Sequence, residues 1–325
     1  MTASVEWFPG AVPRNQGLHH MADGQTARRA RLGIILAAAA GLMLAVNDVS
    51  VPFSYENGFS PPTVVLARFG FLLLTVILLL AVLRLKPRLP QSLAGHALGS
   101  GAMTGMATLG LLGSFAFIPV SLGVVILYTF PMLTTLLECL HARRLPGLFE
   151  ILCLVTAFAG VGIAVGLNDV ALDPRGILLA CLASLCYAVS IFWNSIRLRA
   201  ADSTVVSFYM AISGIVTVAL YVLATGSFVV TPQPGLAPWL PLLVTCFFFS
   251  VSFVLMFRAV TYAGGSATAM VLNLEPVFVI GLAAILLGEG LTVPRVLGGA
   301  LVIGAVVVSE ILRGRKDTVV IEPVG

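Results

Sequence analysis

Residues 271–289 read V-L-N-L-E-P-V-F-V-I-G-L-A-A-I-L-L-G-E, an apolar run with an amide, an acid and a proline near its start. An ionised carboxylate at the centre of a bilayer costs about 2.5 to 3.5 kcal/mol on the scale derived from helix insertion. A proline inside a helix also removes one backbone hydrogen bond. A membrane helix that keeps Asn273, Glu275 and Pro276 therefore needs a partner or a cavity that offsets both costs.

The composition of the whole chain identifies a lipid bilayer as its surroundings. Of the 325 residues, 59% are hydrophobic and 10% are charged, and the mean hydropathy is +1.05. Soluble domains carry about 25% charged residues, so this composition indicates an integral membrane protein. The net charge of +4 comes without a basic and aromatic patch of the kind that binds nucleic acid, and we expect no nucleic-acid partner.

Known cofactor and metal motifs are missing from the sequence. The five cysteines are odd in number and form no C-x-x-C pair, which argues against a disulfide framework or a metal site. The sequence G-V-G-I-A-V-G at 160–166 fails the dinucleotide-binding fingerprint in spacing and context, and no G-x-x-x-x-G-K-[ST] loop is present. We therefore expect no cofactor, no metal and no ATPase within this chain.

A helix needs about 20 mostly apolar residues to cross the hydrocarbon core. Cutting the chain at its charged and Pro/Gly-rich clusters predicts an all-α integral membrane protein with ten transmembrane helices. The predicted spans are 32–50, 63–83, 93–115, 119–140, 147–167, 176–195, 203–224, 237–259, 265–287 and 293–312. Residues 1–31 are predicted to be a disordered cytoplasmic tail and residues 313–325 a cytoplasmic C-terminal tail. The short connections leave no room for a soluble catalytic domain, so any function is expected among the helices.

The distribution of Lys and Arg predicts the orientation, because cytoplasmic loops carry the excess of positive charge. With the N-terminus inside, fifteen of the 18 Lys and Arg residues fall on the cytoplasmic side. Only Arg175 and Arg295 fall on the opposite side, and Arg68 lies within a span. Both termini are predicted to be cytoplasmic, and the short loops favour a bacterial inner membrane.

The two halves of the chain resemble each other. Residues 33–46, G-I-I-L-A-A-A-A-G-L-M-L-A-V, match residues 176–189, G-I-L-L-A-C-L-A-S-L-C-Y-A-V, at eight of fourteen positions. L-Y-T-F-P at 127–131 falls opposite L-N-L-E-P at 272–276, each midway along the fourth span of its half. Because five spans per half is an odd number, the second copy enters the membrane from the other side. The sequence therefore predicts two inverted five-helix repeats, 32–167 and 176–312, as in many secondary transporters.

Several motifs also resemble those of a known family. They are A-R-F-G-F-L-L-L in the second span, L-N-L-E-P-V-F followed by L-L-G-E-G-L-T, and a closing G-G-A-L-V-I-G. Together with the two halves they resemble the EamA-type branch of the drug/metabolite transporter superfamily over about residues 32 to 312. The resemblance implies transport of small metabolites such as amino acids, their derivatives, vitamins or drugs, often outward. The first half departs from the pattern, since Arg144 stands where the second half has Glu289.

The two prolines and Glu275 are the strongest candidates for function. Pro276 frees the carbonyl of Leu272 and Pro131 that of Leu127, which in a membrane need another partner or a water-filled cavity. A packed kink is the alternative, but symmetry-related prolines at mid-depth favour a cavity. Glu275 is interpreted as a substrate or proton site, with a hydrogen bond from a neighbouring helix as the alternative.

Other polar groups at similar depth extend the predicted pocket. Asn273 is a candidate substrate contact, and a plain interhelical hydrogen bond is an equal alternative. Tyr128 and Thr129 offer hydroxyls from the opposite half, and Tyr187 and Ser190 add further polar groups from the sixth span. The set predicts a mixed apolar and polar pocket for a small amphipathic solute.

Arg68 and Asp48 form a second charged candidate set. Arg68 lies six residues after Pro62, about 9 Å into the second span, and Asp48 ends the first span on the same side. One interpretation is an anion-binding or gating arginine that pairs with Asp48 when the mouth closes. The other is an arginine that reaches back to the membrane interface beside a static ion pair.

The leading functional hypothesis is a secondary transporter that moves a small-molecule substrate by alternating access. Its driving force is either the gradient of the solute or a proton gradient, with Glu275 as the coupling site. The alternatives are a membrane-embedded enzyme, for which no H-E-x-x-H or D-D-x-x-D cluster is present, and a membrane scaffold. Apart from membrane lipid and the solute, the sequence names no partner and leaves the substrate, the direction of movement and the oligomeric state open.

Overall fold

The computed structural model describes residues 16–165, 172–199 and 201–319, and these form a bundle of helices. The helices are α1 (Gln16–Glu56), α2 (Pro61–Leu83), α3 (Gln91–Ser114), α4 (Val120–Leu127), α5 (Phe130–His141), α6 (Leu148–Val165), α7 (Pro174–Trp193), α8 (Ser203–Thr225), α9 (Leu240–Ala263), α10 (Gly265–Leu272), α11 (Glu275–Leu286) and α12 (Val293–Val319). We call the end of the bundle that holds the start of α1 and the end of α12 the termini end. The opposite end is the far end.

The predicted ten-span, all-α fold is confirmed. Within the described residues, eight helical segments are long and apolar enough to cross a membrane, with α4 and α5 forming one of them and α10 and α11 another. The remaining two spans are α3, which is 24 residues long, and the apolar stretch Val293–Ser309 of α12. Each of these segments corresponds to one predicted span.

Three details differ from the sequence prediction. Residues 16–31, predicted to be disordered, continue α1 toward the N-terminus, and residues 1–15 lie outside the described residues. Likewise α12 extends through 313–319 of the predicted tail, and residues 320–325 are outside the description. The spans predicted at 119–140 and 265–287 are each two helices, separated by a break at Tyr128 and Thr129 in one and at Asn273 and Leu274 in the other.

Local sequence explains several helix boundaries. The carboxylate of Asp173 accepts a hydrogen bond from the backbone N–H of Arg175, and Asp202 accepts from Thr204 and Val205, so both acids cap helix N-termini. Gly226 ends α8 in the left-handed conformation, with φ of 63°, which a glycine adopts without steric cost.

The helix contacts repeat themselves when the two halves are exchanged. The pairing of α1 with α9 has its counterpart in α7 with α3, and α3 with α8 has its counterpart in α9 with α2. The pairs α2 with α8 and α6 with α12 are their own counterparts. A bundle with this contact pattern is two interlocked copies of one five-span unit, as the sequence repeat predicted.

The exchange of halves fails at the contact between the two broken spans. At the far end α4 packs against α11, whereas its counterpart at the termini end, α5 against α10, is a much weaker contact. The far end is further held by backbone pairing of the loop after α1 with the loop after α8, where Phe59 pairs with Val230. The bundle is therefore more tightly closed at its far end than at its termini end.

Candidate functional site

The broken helices of the two repeats meet in the interior of the bundle. The hydroxyl of Tyr128, in the α4/α5 break, donates to Oε2 of Glu275 at 2.9 Å. The same hydroxyl lies 3.2 Å from the carbonyl oxygen of Leu272, the last residue of α10, which has no helical partner because the span breaks there. The freed carbonyl and the buried acid of one half thus share a donor from the other half.

The helix breaks also lower the free-energy cost of the two prolines. Pro276 is the second residue of α11 and Pro131 the second residue of α5. The first N–H groups of a helix have no intrahelical acceptor, so a proline there removes no hydrogen bond. Breaking each span just before its proline therefore converts a costly interior position into a favourable helix start.

A cavity of about 370 Å³ opens around the two breaks. It is lined by residues of both repeats, with α6, α8 and α12 contributing none of the described lining. The predicted site residues that line it are Glu275, Asn273, Tyr128, Tyr187, Pro131, Arg68 and Asp48. Most of the site predicted from sequence therefore surrounds one cavity.

Polar groups in the cavity differ in whether they have partners. Within the described residues, Oε1 of Glu275, the amide of Asn273 and the hydroxyl of Tyr187 make no side-chain hydrogen bond. Asn273 and Glu275 are 7% and 8% exposed, so their contact with solvent is through the cavity. These groups are positioned to exchange water for a solute.

Arg68 and Asp48 are inside the cavity wall, not at the membrane interface. Arg68 is 4% exposed, and its Nη1 lies 3.8 Å from Oδ1 of Asp48. Its guanidinium carbon stacks 4.1 Å above the ring centre of Phe249. The side chain of Arg68 is enclosed by α1, α2 and α9, so it does not reach out to the membrane interface, whereas the ion pair with Asp48 that the interfacial interpretation included is present. The gating role stays a prediction.

Three predicted residues lie behind the cavity wall. The hydroxyl of Thr129 donates to the Ile126 carbonyl at 2.8 Å and accepts from the hydroxyl of Ser184 at 2.8 Å, so it joins the break to α7. The hydroxyl of Ser190 lies 2.8 Å from that of Thr104, which does line the cavity. Pro276 is buried but lines no part of the cavity. The geometry therefore provides no direct substrate contact for Thr129 or Ser190, whereas the helix break predicted at Pro276 is present.

Sequence reasoning overlooked three aromatic residues of the cavity wall, Phe130, Phe249 and Phe253. Phe130 stacks edge-on against Tyr187, with ring centres 4.8 Å apart, and lies 5.8 Å from Tyr128. The alignment of L-Y-T-F-P with L-N-L-E-P already pairs Phe130 with Glu275, and this pairing was the signal that could have found it. Phe249 had no such signal, because α9 is apolar on all sides.

Glu289 lies outside the cavity and joins the two repeats at the far end. Its Oε1 accepts from the backbone N–H of Val120 at 2.7 Å, and its Oε2 accepts from the N–H and hydroxyl of Ser121. It therefore caps the N-terminus of α4, in the other repeat, at the far end. Its counterpart Arg144 instead pairs with Glu150 of its own repeat at 2.8 Å.

Comparison with known proteins agrees with this architecture. The profile of the EamA-like transporter family matches residues 31–166 and again residues 174–310. A solved structure described only as "Crystal structure of protein" is 15% identical, with a TM-score of 0.61 over 87% of this chain and 98% of that chain, which shows a shared fold. No curated protein matches the chain. Since the family profile covers both halves, the chain belongs to the EamA-like transporter family, a branch of the drug/metabolite transporter superfamily.

Proposed function

We propose that this protein is a secondary transporter that moves a small amphipathic metabolite, such as an amino acid or an amino-acid derivative, across the bacterial inner membrane. The observation that carries the proposal is the cavity between the two broken helices, with Glu275 in its wall. Ligand sites enclose about 300 to 1,000 Å³, so a cavity of about 370 Å³ accommodates a small metabolite. Its aromatic rings suit an apolar body and its unpartnered polar groups suit a polar head.

Alternating access is supported by the difference between the two ends of the bundle. The contact of α4 with α11 closes the far end, and the weaker contact of α5 with α10 leaves the termini end less closed. In an inverted repeat, exchanging these two contacts produces the opposite state while each repeat keeps its own fold. The cap that Glu289 places on α4 belongs to the far-end closure, and it must break for that end to open.

Direction and driving force are further parts of the proposal. The excess of Lys and Arg supports a cytoplasmic termini end, which would place the less closed end of the cavity toward the cytoplasm. Export is supported by the family resemblance. Glu275 is the proposed proton-coupling site, since it is buried in the cavity and faces the opposite repeat through Tyr128.

The test is solute flux with an unbiased cargo. Liposomes that contain the purified full-length protein are loaded with a small-metabolite extract, and the released compounds are identified by mass spectrometry. We expect selective release by the wild type and at least a tenfold slower release by Glu275→Gln, with Glu56→Gln, an exposed acid of α1, as the matched control. Release equal to that of loaded liposomes without protein would refute transport, and wild-type release by Glu275→Gln would refute the role of Glu275.

A further inference from the structure

The guanidinium of Arg68 has hydrogen-bonding groups that the protein does not satisfy. Its side chain is 4% exposed, and neither Nε nor Nη1 makes a hydrogen bond to any described residue. An unsatisfied buried polar group costs about 1 to 3 kcal/mol, and a charged one costs more. A cation held this way in a cavity wall is a site that needs an acceptor from outside the protein.

Nearby protein groups do not supply that acceptor. The carboxylate of Asp48 is 3.8 Å from Nη1, beyond hydrogen-bond distance, and its Oδ1 already accepts from the amide of Asn47 at 2.7 Å. The ring of Phe249 covers one face of the guanidinium, but stacking leaves the N–H groups in the guanidinium plane unpaired. Nε and Nη1 are closed off from solvent, so a ligand in the cavity that Arg68 lines reaches the guanidinium through its third nitrogen, Nη2, while Asp48 and Phe249 fix the position of the side chain.

We propose that Arg68 binds a carboxylate group of the transported solute, which deepens the proposed function and rests on it. A hydrogen bond from the charged guanidinium nitrogen Nη2 to a carboxylate oxygen is about twice as strong as one between neutral groups. The cavity already holds the acids Asp48 and Glu275, so a monoanion is favoured over a multiply charged phosphate, which both acids would repel. Asp48 holds the guanidinium in place without competing for its hydrogen bonds.

The rest of the cavity wall fits the remainder of such a solute. Phe130 and Phe249 line it with aromatic surface, and the amide of Asn273 and the hydroxyl of Tyr187 have no side-chain partner in the described part of the chain. A solute with one carboxylate and a compact apolar body meets each of these groups. An otherwise identical solute with a neutral amide in place of the carboxylate offers Arg68 only an uncharged acceptor, which makes a weaker hydrogen bond.

Matched acid and amide pairs test the inference directly. The probes are phenylalanine with phenylalaninamide, leucine with leucinamide, and 3-phenylpropionate with 3-phenylpropanamide, so that the carboxylate is tested with and without an ammonium group. Dissociation constants come from thermal-shift titration of the full-length protein, since a ligand that binds the native state raises its apparent stability. The variants are Arg68→Gln, Arg68→Lys and the control Arg258→Gln, an exposed arginine of α9.

We expect at least one acid to bind the wild type about 10- to 100-fold more tightly than its amide, the effect of one well-made charged hydrogen-bonding pair. Arg68→Gln should abolish this preference, Arg68→Lys should keep part of it, and Arg258→Gln should keep all of it. Equal binding of acid and amide in every pair, binding of no acid at all, or an intact preference in Arg68→Gln would overturn the inference. Selective release of compounds without a carboxylate from extract-loaded liposomes would overturn it while leaving transport in place.

Discussion

Removing the carboxylate of Glu289 should open the far end of the bundle. The carboxylate receives the N–H of Val120 at 2.7 Å, the N–H of Ser121 at 3.3 Å and the hydroxyl of Ser121. A charged hydrogen bond contributes about 1.5 to 3 kcal/mol, and a cap on a helix start about 0.5 to 2 kcal/mol. Because the opened state regains water, we assign Glu289→Ala a net loss of about 2 kcal/mol from the closed far end, or about a 30-fold shift toward the open state.

The conservative variant separates charge from hydrogen bonding. Glu289→Gln keeps one acceptor oxygen and loses its charge at the N-terminus of α4, an effect of about 1 kcal/mol and so about a fivefold shift. Both shifts can be measured by double electron–electron resonance spectroscopy, which gives the distance between spin labels at Phe117→Cys and Leu291→Cys. These exposed far-end positions would be labelled in a background that lacks the five native cysteines.

The expected result is a longer distance component that grows in the order wild type, Glu289→Gln, Glu289→Ala. Arg295→Gln is the control, because Arg295 lies in the same far-end region and donates only to the Gly290 carbonyl in the described contacts. If both Glu289 variants fold and give the wild-type distance distribution, the carboxylate does not hold the far end closed. The far-end closure would then rest on the packing of α4 with α11 and on the loop pairing alone.

Two further predictions concern a helix interface and the contact between the breaks. A methyl group on Gly160 would lie 2.7 Å from the carbonyl oxygen of Gly298, whereas one on Gly162 would meet nothing within 4 Å. Gly160→Ala should therefore lower the free energy of unfolding in detergent by about 1 to 3 kcal/mol, and Gly162→Ala should not lower it; equal effects would contradict this α6/α12 contact. Tyr128→Phe should cost about 0.6 to 1.7 kcal/mol, typical of an interhelical hydrogen bond, and slow solute release, with Tyr209→Phe as the control for a lost hydroxyl outside the cavity. Unchanged release by Tyr128→Phe would show that its bond to Glu275 serves packing only.

Sequence predicted the fold well because hydropathy and repeat spacing report depth in the membrane. Pro131 and Pro276 gave the positions of both helix breaks to within a few residues. Depth alone does not give the side of a helix on which a residue lies, since successive side chains are rotated by about 100° around the helix axis. Ser190 and Tyr187 are three residues apart at similar depth, yet Tyr187 lines the cavity and Ser190 bonds with Ser100 and Thr104 of α3. In spans that are apolar on every side, no hydrophobic face distinguishes the two.

Contacts between the repeats were the second limit of sequence reasoning. The partner of Glu289 lies 169 residues away along the chain, and that of Glu275 lies 147 residues away, so no local pattern identifies either. The inverted repeat does indicate that equivalent residues approach each other near the symmetry axis. It placed Tyr128 and Asn273 opposite each other, and their segments are in contact in the structure through the Leu272 carbonyl.

Two acids of the second repeat, Glu275 and Glu289, break the symmetry of the scaffold, because neither has an acidic counterpart in the first repeat. At the break, Glu275 stands where the first repeat has Phe130, so one break presents an acid to the cavity and the other an aromatic ring. At the end of the same span, Glu289 stands where the first repeat has Arg144, so the cap on α4 has no acidic equivalent on α10. Perfect symmetry would give the two end-closed states equal free energy, and a cap of about 2 kcal/mol at one end favours the far-end-closed state about 30-fold. In the proposed alternating-access cycle, Glu289 sets the resting state, and the solute that we propose is held by Arg68 must supply the differential binding energy that reverses the preference.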